Sequence, residues 1–377
     1  MENRKIKSLA ALGIVALLVI TLVWFQFGLT GQSTNETTIE IGVITTSTGV
    51  GAFVGQESLK GYELARDQLN GAGGINGKKV KLIFEDSGTD PKKSVNAMNK
   101  LVHVNKVDFV LGDSWSSTTV PIVPIANAEK VVLISPIAIL DDLEADDMFF
   151  RTVPKTNDMM KELANYAYYE IGSRKIAILM QATPFGFEHA RDFKTEFESL
   201  GGKVVLEESF VLTQADLHAE LTKAQAKNPD TILNVHATGP KIGSLVKQAK
   251  ELGIEVNWIS HFGAESGPLI QQYGDVLEGL VYPFIYDNAN KMFVDKHMKK
   301  YGGAPNFISA NSYDALMVLA KALENTDNET PLEVKEELLK IKNFNGGSGV
   351  LSFDKNGDVR KPVFIKKILS GKFVRVN

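Results

Sequence analysis

The segment VLGDSWSSTTVPI, residues 110–122, places a cluster of serine and threonine hydroxyls directly after an apolar run. Its Gly-Asp-Ser-Trp-Ser portion resembles the Gly-x-Ser-x-Gly turn of serine hydrolases, in which small residues flank the nucleophile. Ser116 stands where that turn needs its second glycine. A triad also needs a late histidine, and His297, the only histidine in the last hundred residues, falls in a helical pattern. An exported serine esterase that uses Ser114 is therefore kept only as an alternative.

Ligand binding requires fewer special features of these residues than catalysis does. A helix that begins after Ser116 leaves its first backbone N–H groups free, and the hydroxyls of Ser116 and Ser117 add donors. Such anion sites form at the carboxyl edge of a parallel sheet. A structural role, in which Ser116, Ser117 and Thr118 cap the helix, is compatible with binding, and we expect both.

Aromatic and imidazole side chains follow other predicted strands. Trp115 and Phe185 lie just past strand ends, where an aromatic ring packs into the core as often as it contacts a ligand. His236 and His261 each follow a strand, and both a pocket role and a simple loop role stay open. No pair of histidines has the spacing of a helical metal site, so no metal site is predicted. Three further histidines fall in helical patterns and are predicted to be solvated: His189, His218 and His297.

Two glycine-containing segments resemble cofactor loops but do not match them. Residues 71–77, GAGGING, lack the Gly-Lys-Ser/Thr of a phosphate loop and predict a helix end followed by a turn. In a calcium loop that began at Asp354, the position that must be glycine is Val359 and the position of the final glutamate is Ile365, so residues 354–358, DKNGD, predict a hairpin turn instead. No cofactor is predicted.

Composition narrows the class of protein. The 377 residues are 44% hydrophobic and 23% charged, which is typical of a globular chain with two domains. The net charge is -4 and the basic residues are scattered, so nucleic acid is not an expected partner. The absence of cysteine excludes disulfides, thiolate metal sites, a cysteine nucleophile and a lipid-modified N-terminal cysteine.

The N-terminus predicts export. Arg4, Lys5 and Lys7 precede an apolar run from Leu9 to Leu29, and about 20 apolar residues suffice to span a bilayer. The run is longer than an ordinary signal peptide and lacks an Ala-x-Ala cleavage site, which favours an uncleaved anchor over 1–29, with a cleaved signal as the alternative. The basic flank stays in the cytoplasm, so the remainder lies outside, after a polar tether over 30–38.

The rest of the chain alternates short β-branched runs with longer amphipathic stretches. Two series of this kind predict an α/β fold with two doubly wound parallel-sheet lobes. The first series has strands at 39–45, 78–86, 108–112 and 131–135 and helices at 57–70, 91–105 and 117–128. The second has strands at 175–180, 203–210, 231–235, 256–260 and 279–283 and helices at 156–172, 186–200, 216–227 and 240–252. The tail has helices at 287–301, 309–324 and 331–342 and strands within 350–374.

Three stretches of the sequence together resemble one family. They are LNGAGGINGKKVKLIFEDSGTDPKKSVNAMNKLV (69–102), VDFVLGDSWSSTTVPIVPIANAEKVVLISP (107–136) and GVLSFDKNGDVRKP (349–362). They are similar to the leucine/isoleucine/valine-binding protein family, the type I solute-binding proteins of ABC importers, over about residues 39–375.

The resemblance implies two lobes joined by three crossovers, with the ligand between the lobes and hinge closure burying it. The crossovers would fall near Thr152–Pro154, Val281–Pro283 and Gly349–Leu351. The implied first lobe is 39–153 plus 283–348, and the second is 154–282 plus 349–377.

The resemblance also implies a ligand site. In amino-acid-binding members the α-carboxylate is held by a serine at the position of Ser116 and by backbone matching Ile137 and Ala138. This chain departs from the pattern with Ile139 in place of a threonine and Val54 in place of a tyrosine.

Two further departures concern the second lobe. Phe185 stands where the amino-acid-binding members have a tyrosine. Phe262 stands where those members have the acid that pairs the ammonium group of the ligand, and Glu265, three residues away, is a candidate to replace that acid. Because a buried unpaired ammonium is costly, loss of the acid argues against a plain α-amino acid. Trp115, Phe185 and Phe262 instead make a more aromatic pocket, which predicts a small amino-acid-like, amide or carboxylate solute.

These features predict a membrane-tethered substrate-binding protein, not an enzyme, that delivers a small solute to the permease and ATPase subunits of an ABC importer. A ligand-binding sensor domain is the alternative from another class. The single N-terminal span leaves no obvious output domain, which counts against it.

Overall fold

The alternating pattern of the sequence forms two parallel sheets flanked by helices. The computed structural model describes residues 37–376 except 50, 142, 144–147, 212, 237–238 and 287–289. The anchor predicted over 1–29 and the first part of the tether lie outside the described residues. Within the described residues, no helix combines the length and the apolar character needed to cross a membrane.

The first sheet has five strands in the order β2-β1-β3-β4-β5. Parallel pairing joins β1 to β3, β3 to β4 and β4 to β5. Strands β3 and β4 are buried along their whole length, which explains why their sequences are continuous apolar runs. The strands are β1 Thr38–Thr45, β2 Lys79–Asp86, β3 Phe109–Leu111, β4 Val132–Ser135 and β5 Phe149–Arg151, of which β5 was not predicted.

Four helices connect these strands: α1 Ala52–Gly71, α2 Pro91–Asn99, α3 Ser116–Thr119 and α4 Val123–Glu129. A π turn, Lys100–Val104, prolongs α2. The single helix predicted over 117–128 is wrong, because residues 120–122 interrupt it. Pro121 has no N–H for the helical ladder, and its ring clashes with the preceding turn.

The second sheet has the order β15-β14-β10-β9-β8-β6-β7. Its core strands are parallel, as predicted, whereas β14 and β15 add an antiparallel edge. The strands are β6 Lys175–Gln181, β7 Lys203–Phe210, β8 Thr231–Val235, β9 Asn257–Ser260, β10 Val281–Phe284, β14 Phe364–Leu369 and β15 Lys372–Arg375. The helices are α5 Thr156–Tyr166, with a π turn Ala167–Ile171, α6 Pro184–Ser199, α7 His218–Gln225, α8 Gly239–Glu251 and α9 Gly267–Tyr273, of which α9 was not predicted.

The tail returns to the first sheet before it joins the second. It forms α10 Lys291–Tyr301, α11 Phe307–Leu323, α12 Pro331–Lys340 and a small antiparallel sheet of β11 Phe344–Gly346, β12 Gly349–Phe353 and β13 Val359–Arg360. Helix α11 packs so closely on α1 that a Cβ at Gly61 would lie 2.2 Å from the carbonyl oxygen of Ser309. Glycine is therefore required at that crossing.

The hairpin of β12 and β13 contacts the first sheet, and the strand that follows it joins the second. Phe353 packs edge-to-face on Phe150 of β5, with ring centroids 5.5 Å apart, so the β12–β13 hairpin lies beside the first sheet. The chain reaches the second sheet only when β14 pairs with β10. The predicted crossover near Gly349–Leu351, and the lobe boundary drawn there, stay predictions. The other lobe boundaries stay predictions, and both sheets belong to one compact unit, Ile39–Asn377.

A buried ion pair ties that hairpin to β5. Arg151, the last residue of β5, is fully buried, and its Nε lies 3.0 Å from Oδ1 of Asp358. The guanidinium also donates to the carbonyl oxygens of Leu140, at 2.7 Å, and Leu143. Lys155 Nζ lies 2.7 Å from the other oxygen of Asp358.

We expect Arg151→Met to lower the free energy of unfolding by about 3 kcal/mol, because removing one partner of a buried pair leaves the other charge poorly compensated. Urea unfolding followed by circular dichroism measures the change. Arg66→Met is the matched control, since Arg66 pairs with Asp67 at the surface and such pairs contribute at most about 1 kcal/mol. Equal effects of the two substitutions would contradict a special role for Arg151.

Candidate functional site

The serine cluster lies at the carboxyl edge of the first sheet, where β3 leads into α3. Ser116 is the first residue of α3 and follows Trp115, whose backbone is extended. Ser116 Oγ accepts a hydrogen bond from the N–H of Ile139 at 3.1 Å, and its own hydroxyl proton has no acceptor among the described residues. Ser117 is exposed. The edge therefore carries a half-buried hydroxyl donor available to a ligand.

The predicted capping role of these hydroxyls is wrong. No side chain caps α3, and the hydroxyls of Thr118 and Thr119 donate backwards to the carbonyl oxygen of Trp115, at 3.0 and 2.7 Å. Since α3 has only four residues, its dipole is small. Attraction for an anion at this edge must come from individual hydroxyl and N–H groups.

The loop after β4 is hydrogen-bonded to the serine cluster. Ser135 Oγ donates to the carbonyl oxygen of Asp113 at 2.7 Å and accepts from the N–H of Ala138 at 3.1 Å. Ile137, between them, is half-buried. The structure thus brings Ser116 together with Ile137 and Ala138, although the N–H of Ala138 is already used.

Ser114 lacks the surroundings of a nucleophile. It is 1% exposed, and its Oγ lies 3.0 Å from Oγ of Ser58. A nucleophilic serine needs a general base within hydrogen-bond reach, and no histidine contacts Ser114 among the described residues. The geometry therefore gives the esterase alternative no support.

Asp113, beneath the cluster, is a buried acid that the sequence analysis did not single out. Burial raises the pKa of its carboxyl, although Ser94 Oγ donates to it at 3.4 Å. The raised pKa favours the neutral form. A neutral carboxyl does not repel an anionic ligand at the neighbouring hydroxyls.

At the carboxyl edge of the second sheet, phenyl and imidazole rings pack together. The centroid of Phe185 lies 4.1 Å from that of His189 and 5.1 Å from that of His261. His261 also contacts Phe262, at 5.3 Å, and Phe262 reaches Phe307 at the start of α11, at 5.5 Å. We call Phe185, His189, His261 and Phe262 the ring cluster. Its two phenyl rings are half-buried and give this edge an apolar surface.

The prediction of solvated histidines is wrong for two of the three. His189 is fully buried and His297 is 1% exposed, because other elements cover the helix faces on which they lie. His218 retains 43% of its side-chain exposure, as predicted. Helical spacing alone did not reveal which faces are covered.

His236 lies behind the ring cluster and is fully buried. Its ring stacks on Phe210 with centroids 5.4 Å apart, and its carbonyl oxygen lies 2.6 Å from Nε2 of His261. Burial lowers the pKa of both His236 and His261 to about 4. Both rings are therefore neutral at physiological pH.

Glu265 already has a positively charged partner within the protein. Its carboxylate accepts from Lys366 Nζ at 2.6 Å and from the Tyr282 hydroxyl at 2.5 Å. To pair a ligand ammonium, Glu265 would have to share its charge with Lys366. The sequence could not show this, because 101 residues separate the two partners.

The structure also brings together carboxylates that sequence reasoning missed. Oxygens of Asp141, Glu188 and Asp192 lie within 4.8 Å of one another. The i, i+4 spacing of Glu188 and Asp192 was a signal for two acids on one helix face. Nothing in the sequence indicated that Asp141 approaches them. A cavity of about 370 Å³ lies elsewhere, lined by Ser348 and Lys361 among others.

Comparisons with known proteins agree with this architecture. A family model described as periplasmic binding protein matches residues 38–372. The leucine-, isoleucine-, valine-, threonine-, and alanine-binding protein of Pseudomonas aeruginosa is 28% identical over 341 residues, which cover 88% of this chain and 90% of that protein. Leu/Ile/Val-binding protein homolog 1 of Brucella abortus is 28% identical over 333 residues, or 86% of this chain and 88% of that protein.

Solved structures give the same result. A leucine-binding protein from Thermotoga maritima has a TM-score of 0.83 at 26% identity, covering 90% of this chain and 98% of that one. A branched-chain amino acid transporter substrate-binding protein from Streptococcus pneumoniae, solved with isoleucine, has a TM-score of 0.80 at 26% identity, covering 90% and 100%. These matches confirm the predicted resemblance and the α/β fold with parallel sheets.

Stability should depend on pH through His261. Its folded pKa is about 4, whereas an unfolded imidazole titrates near 6.5. The unfolded chain therefore binds more protons at this residue between these values, so the contribution of His261 to stability is complete above pH 6.5 and is lost as the pH drops towards 4. We expect His261 to account for a loss of about 2 kcal/mol between pH 7 and pH 4.5, measured by urea unfolding.

The variant His261→Gln should show a correspondingly smaller loss over the same pH interval. His103→Gln is the control, because His103 lies at the surface with about half of its side chain exposed. If His261→Gln and the unmodified chain lose the same stability, His261 is not the group that titrates.

Proposed function

The chain belongs to the periplasmic binding protein family, and on that premise we propose that it is the extracytoplasmic substrate-binding protein of an ABC importer. The observation that carries the proposal is the Ser116 hydroxyl at the carboxyl edge of the first sheet, half-buried and without an acceptor among the described residues. Curated relatives of similar length are named for the amino acids they bind. The proposed role is binding and delivery without catalysis.

The ligand class follows from the two edges. Ser116 supplies a donor, and a carboxylate or amide oxygen is the complementary acceptor. Phe185 and Phe262 supply half-buried rings for an apolar or aromatic portion. We therefore propose a small solute with a carboxylate or amide at one end and an apolar body at the other.

A plain α-amino acid fits these surroundings less well. Its ammonium needs an anionic partner when it is buried, because an isolated charge is costly to remove from water. Glu265, three residues from the expected acid position, is paired with Lys366 and bonded to Tyr282. The absence of a free acid at this position favours solutes that lack the ammonium.

Transport requires that the permease distinguish the ligand-bound form of the protein from the ligand-free form. Strand β6 of the second sheet follows β5 of the first, and β14 returns to the second sheet after the small sheet of β11, β12 and β13. We propose that these connections are hinges whose motion closes two lobes around a ligand. In the proposed cycle, a solute held by Ser116 on one side and by the ring cluster on the other favours the closed form. The permease then receives the closed, loaded protein.

We expect 4-methylpentanoate to stabilise the full chain in a thermal-shift assay and L-leucine to do so far less. The two compounds share a carbon skeleton and differ by the α-ammonium. A ligand present at 100 times its dissociation constant stabilises the native state by about 2.7 kcal/mol, which raises the melting temperature measurably. Isothermal titration then gives the affinities.

Ser116→Ala should weaken binding by about 10- to 100-fold, the effect of losing a hydrogen bond to a charged group. Ser114→Ala is the matched control, because its hydroxyl is buried against Ser58; its affinity should be unchanged. Equal binding of leucine and 4-methylpentanoate would overturn the ligand class. Ester hydrolysis abolished by Ser114→Ala would overturn the binding function itself.

We also propose that the apolar run from Leu9 to Leu29 keeps the protein on the outer face of the cell membrane. The full chain expressed in bacteria should stay in the membrane pellet after a carbonate wash, and its N-terminal sequence should begin within residues 1–8. Recovery of a soluble exported form that begins near residue 30 would show that the run is a cleaved signal instead.

A further inference from the structure

A single ammonium group joins two of the connections that lead into the second sheet. Lys361 lies between β13 and β14, and its Nζ donates to the carbonyl oxygen of Thr152 at 3.1 Å. Thr152 directly follows β5 of the first sheet, in the segment that leads through α5 to β6 of the second. Two connections that are 209 residues apart in the sequence are therefore hydrogen-bonded to each other.

The other acceptors of Lys361 belong to the tail elements that pack beside the first sheet. Its Nζ donates to Oδ1 of Asn311 on α11, at 2.7 Å, and to Oγ of Ser348 in the turn between β11 and β12. The carbonyl oxygen of Asn311 also accepts from the hydroxyl of Thr152 at 3.0 Å. The three N–H groups of the ammonium are thus all used, and they hold residue 361 on the side of the first sheet.

A buried acid completes this network. Asp314, one turn after Asn311 on α11, is fully buried and accepts from the N–H of Ser348 at 3.0 Å and from its hydroxyl. The Ser348 hydroxyl therefore lies between the ammonium and the carboxyl group. Burial lowers the pKa of Lys361 to about 8, against the opposing effect of the Asp314 charge, so the ammonium form predominates at pH 7.

The position of Lys361 leaves a short segment that can bend. Strand β14 begins at Phe364 and pairs with β10 of the second sheet. Pro362 and Val363 alone therefore separate the residue held beside the first sheet from the strand held in the second. A cavity of about 370 Å³ lies beside this segment, lined by Ile285, Pro362 and Phe364 among others, so the main chain has space to rotate there.

We propose that Lys361 is a positioning residue of the hinge, whose ammonium couples the connection after β5 to the connection before β14 so that the two bend together. Without this coupling each connection would move separately, and a wider range of open conformations would become accessible. Closure around a solute would then lose more conformational entropy, and the affinity for the solute would fall.

The first test measures motion in the full chain without any solute. The chain has no cysteine, so Lys92→Cys on α2 and Ala219→Cys on α7, both at exposed positions, provide two defined sites for spin labels. Electron paramagnetic resonance at pH 7 gives the distribution of distances between the labels. Lys361→Met, which keeps the side-chain length without the charge, should widen this distribution. Lys355→Met is the matched control, since Lys355 is exposed in the neighbouring β12–β13 hairpin, and should leave it unchanged.

The second test restores the ammonium chemically and rests on the proposed function. In isothermal titration, Lys361→Cys should bind 4-methylpentanoate about fivefold or more weakly than the unmodified chain. Alkylation of the introduced thiol with 2-bromoethylamine rebuilds a side chain with the length and charge of lysine, and it should restore the affinity. Alkylation with iodoacetamide, which adds no positive charge, should not restore it.

Circular dichroism and thermal unfolding establish that each variant is folded, and Lys361→Gln replaces Lys361→Met if the latter is not. A distance distribution as narrow in Lys361→Met as in the unmodified chain overturns the proposal, and so does equal widening in Lys355→Met. Affinity that 2-bromoethylamine does not restore, or that iodoacetamide restores equally, also overturns it, because the ammonium is then not the group that acts. If the unmodified chain binds no 4-methylpentanoate, the proposed ligand class fails, while the distance measurement still decides the role of Lys361.

Discussion

The guanidinium of Arg151 is the interaction on which much of the remaining structure depends. It is fully buried, and it joins the end of β5, the carbonyl oxygens of the loop after β4 and the Asp358 carboxylate of the β12–β13 hairpin. That loop carries Ile137 and Ala138 beside the serine cluster and Asp141 beside α6. A single buried cation therefore helps to position the loop that contacts the serine cluster and carries Asp141. Displacement of any of these partners would leave a buried charge without compensation, which is costly.

The two sheet edges are chemically different. The first presents hydroxyl and N–H donors above Asp113. Burial of Asp113 favours the neutral form of its carboxyl. The second presents phenyl rings packed against neutral imidazoles. Burial acts in the same direction at both edges, since it disfavours charge on the acid and on the bases alike. The proposed ligand, with one polar end and an apolar body, matches these two surfaces.

Most helices and strands were predictable because each is encoded by residues that are close together in the sequence. The strands of the first series and the helices of the second appeared within a few residues of their predicted positions, since apolar periodicity records which face is buried. The turns at 71–77 and 354–358 were read correctly from their glycines. The errors in predicting helices and strands also have local causes. Strand β5 and helix α9 have three and seven residues, too few for a periodic pattern. Pro121 divides a helix that the neighbouring residues favour.

The sequence by itself determined the α/β class, the alternation of the two series, the family resemblance and the position of Ser116 at a strand end, because each is encoded within a short stretch. Only the tertiary structure decided that His189 is buried, that Glu265 is paired with Lys366 and that Asp141 meets Asp192. It also paired β14 with β10, which joins the end of the chain to the second sheet. These outcomes join residues far apart in the chain, and helical or strand periodicity shows that a face is covered without showing what covers it. Which charges meet is settled when the sheets and crossovers pack, since packing selects the partners that a buried polar group must have.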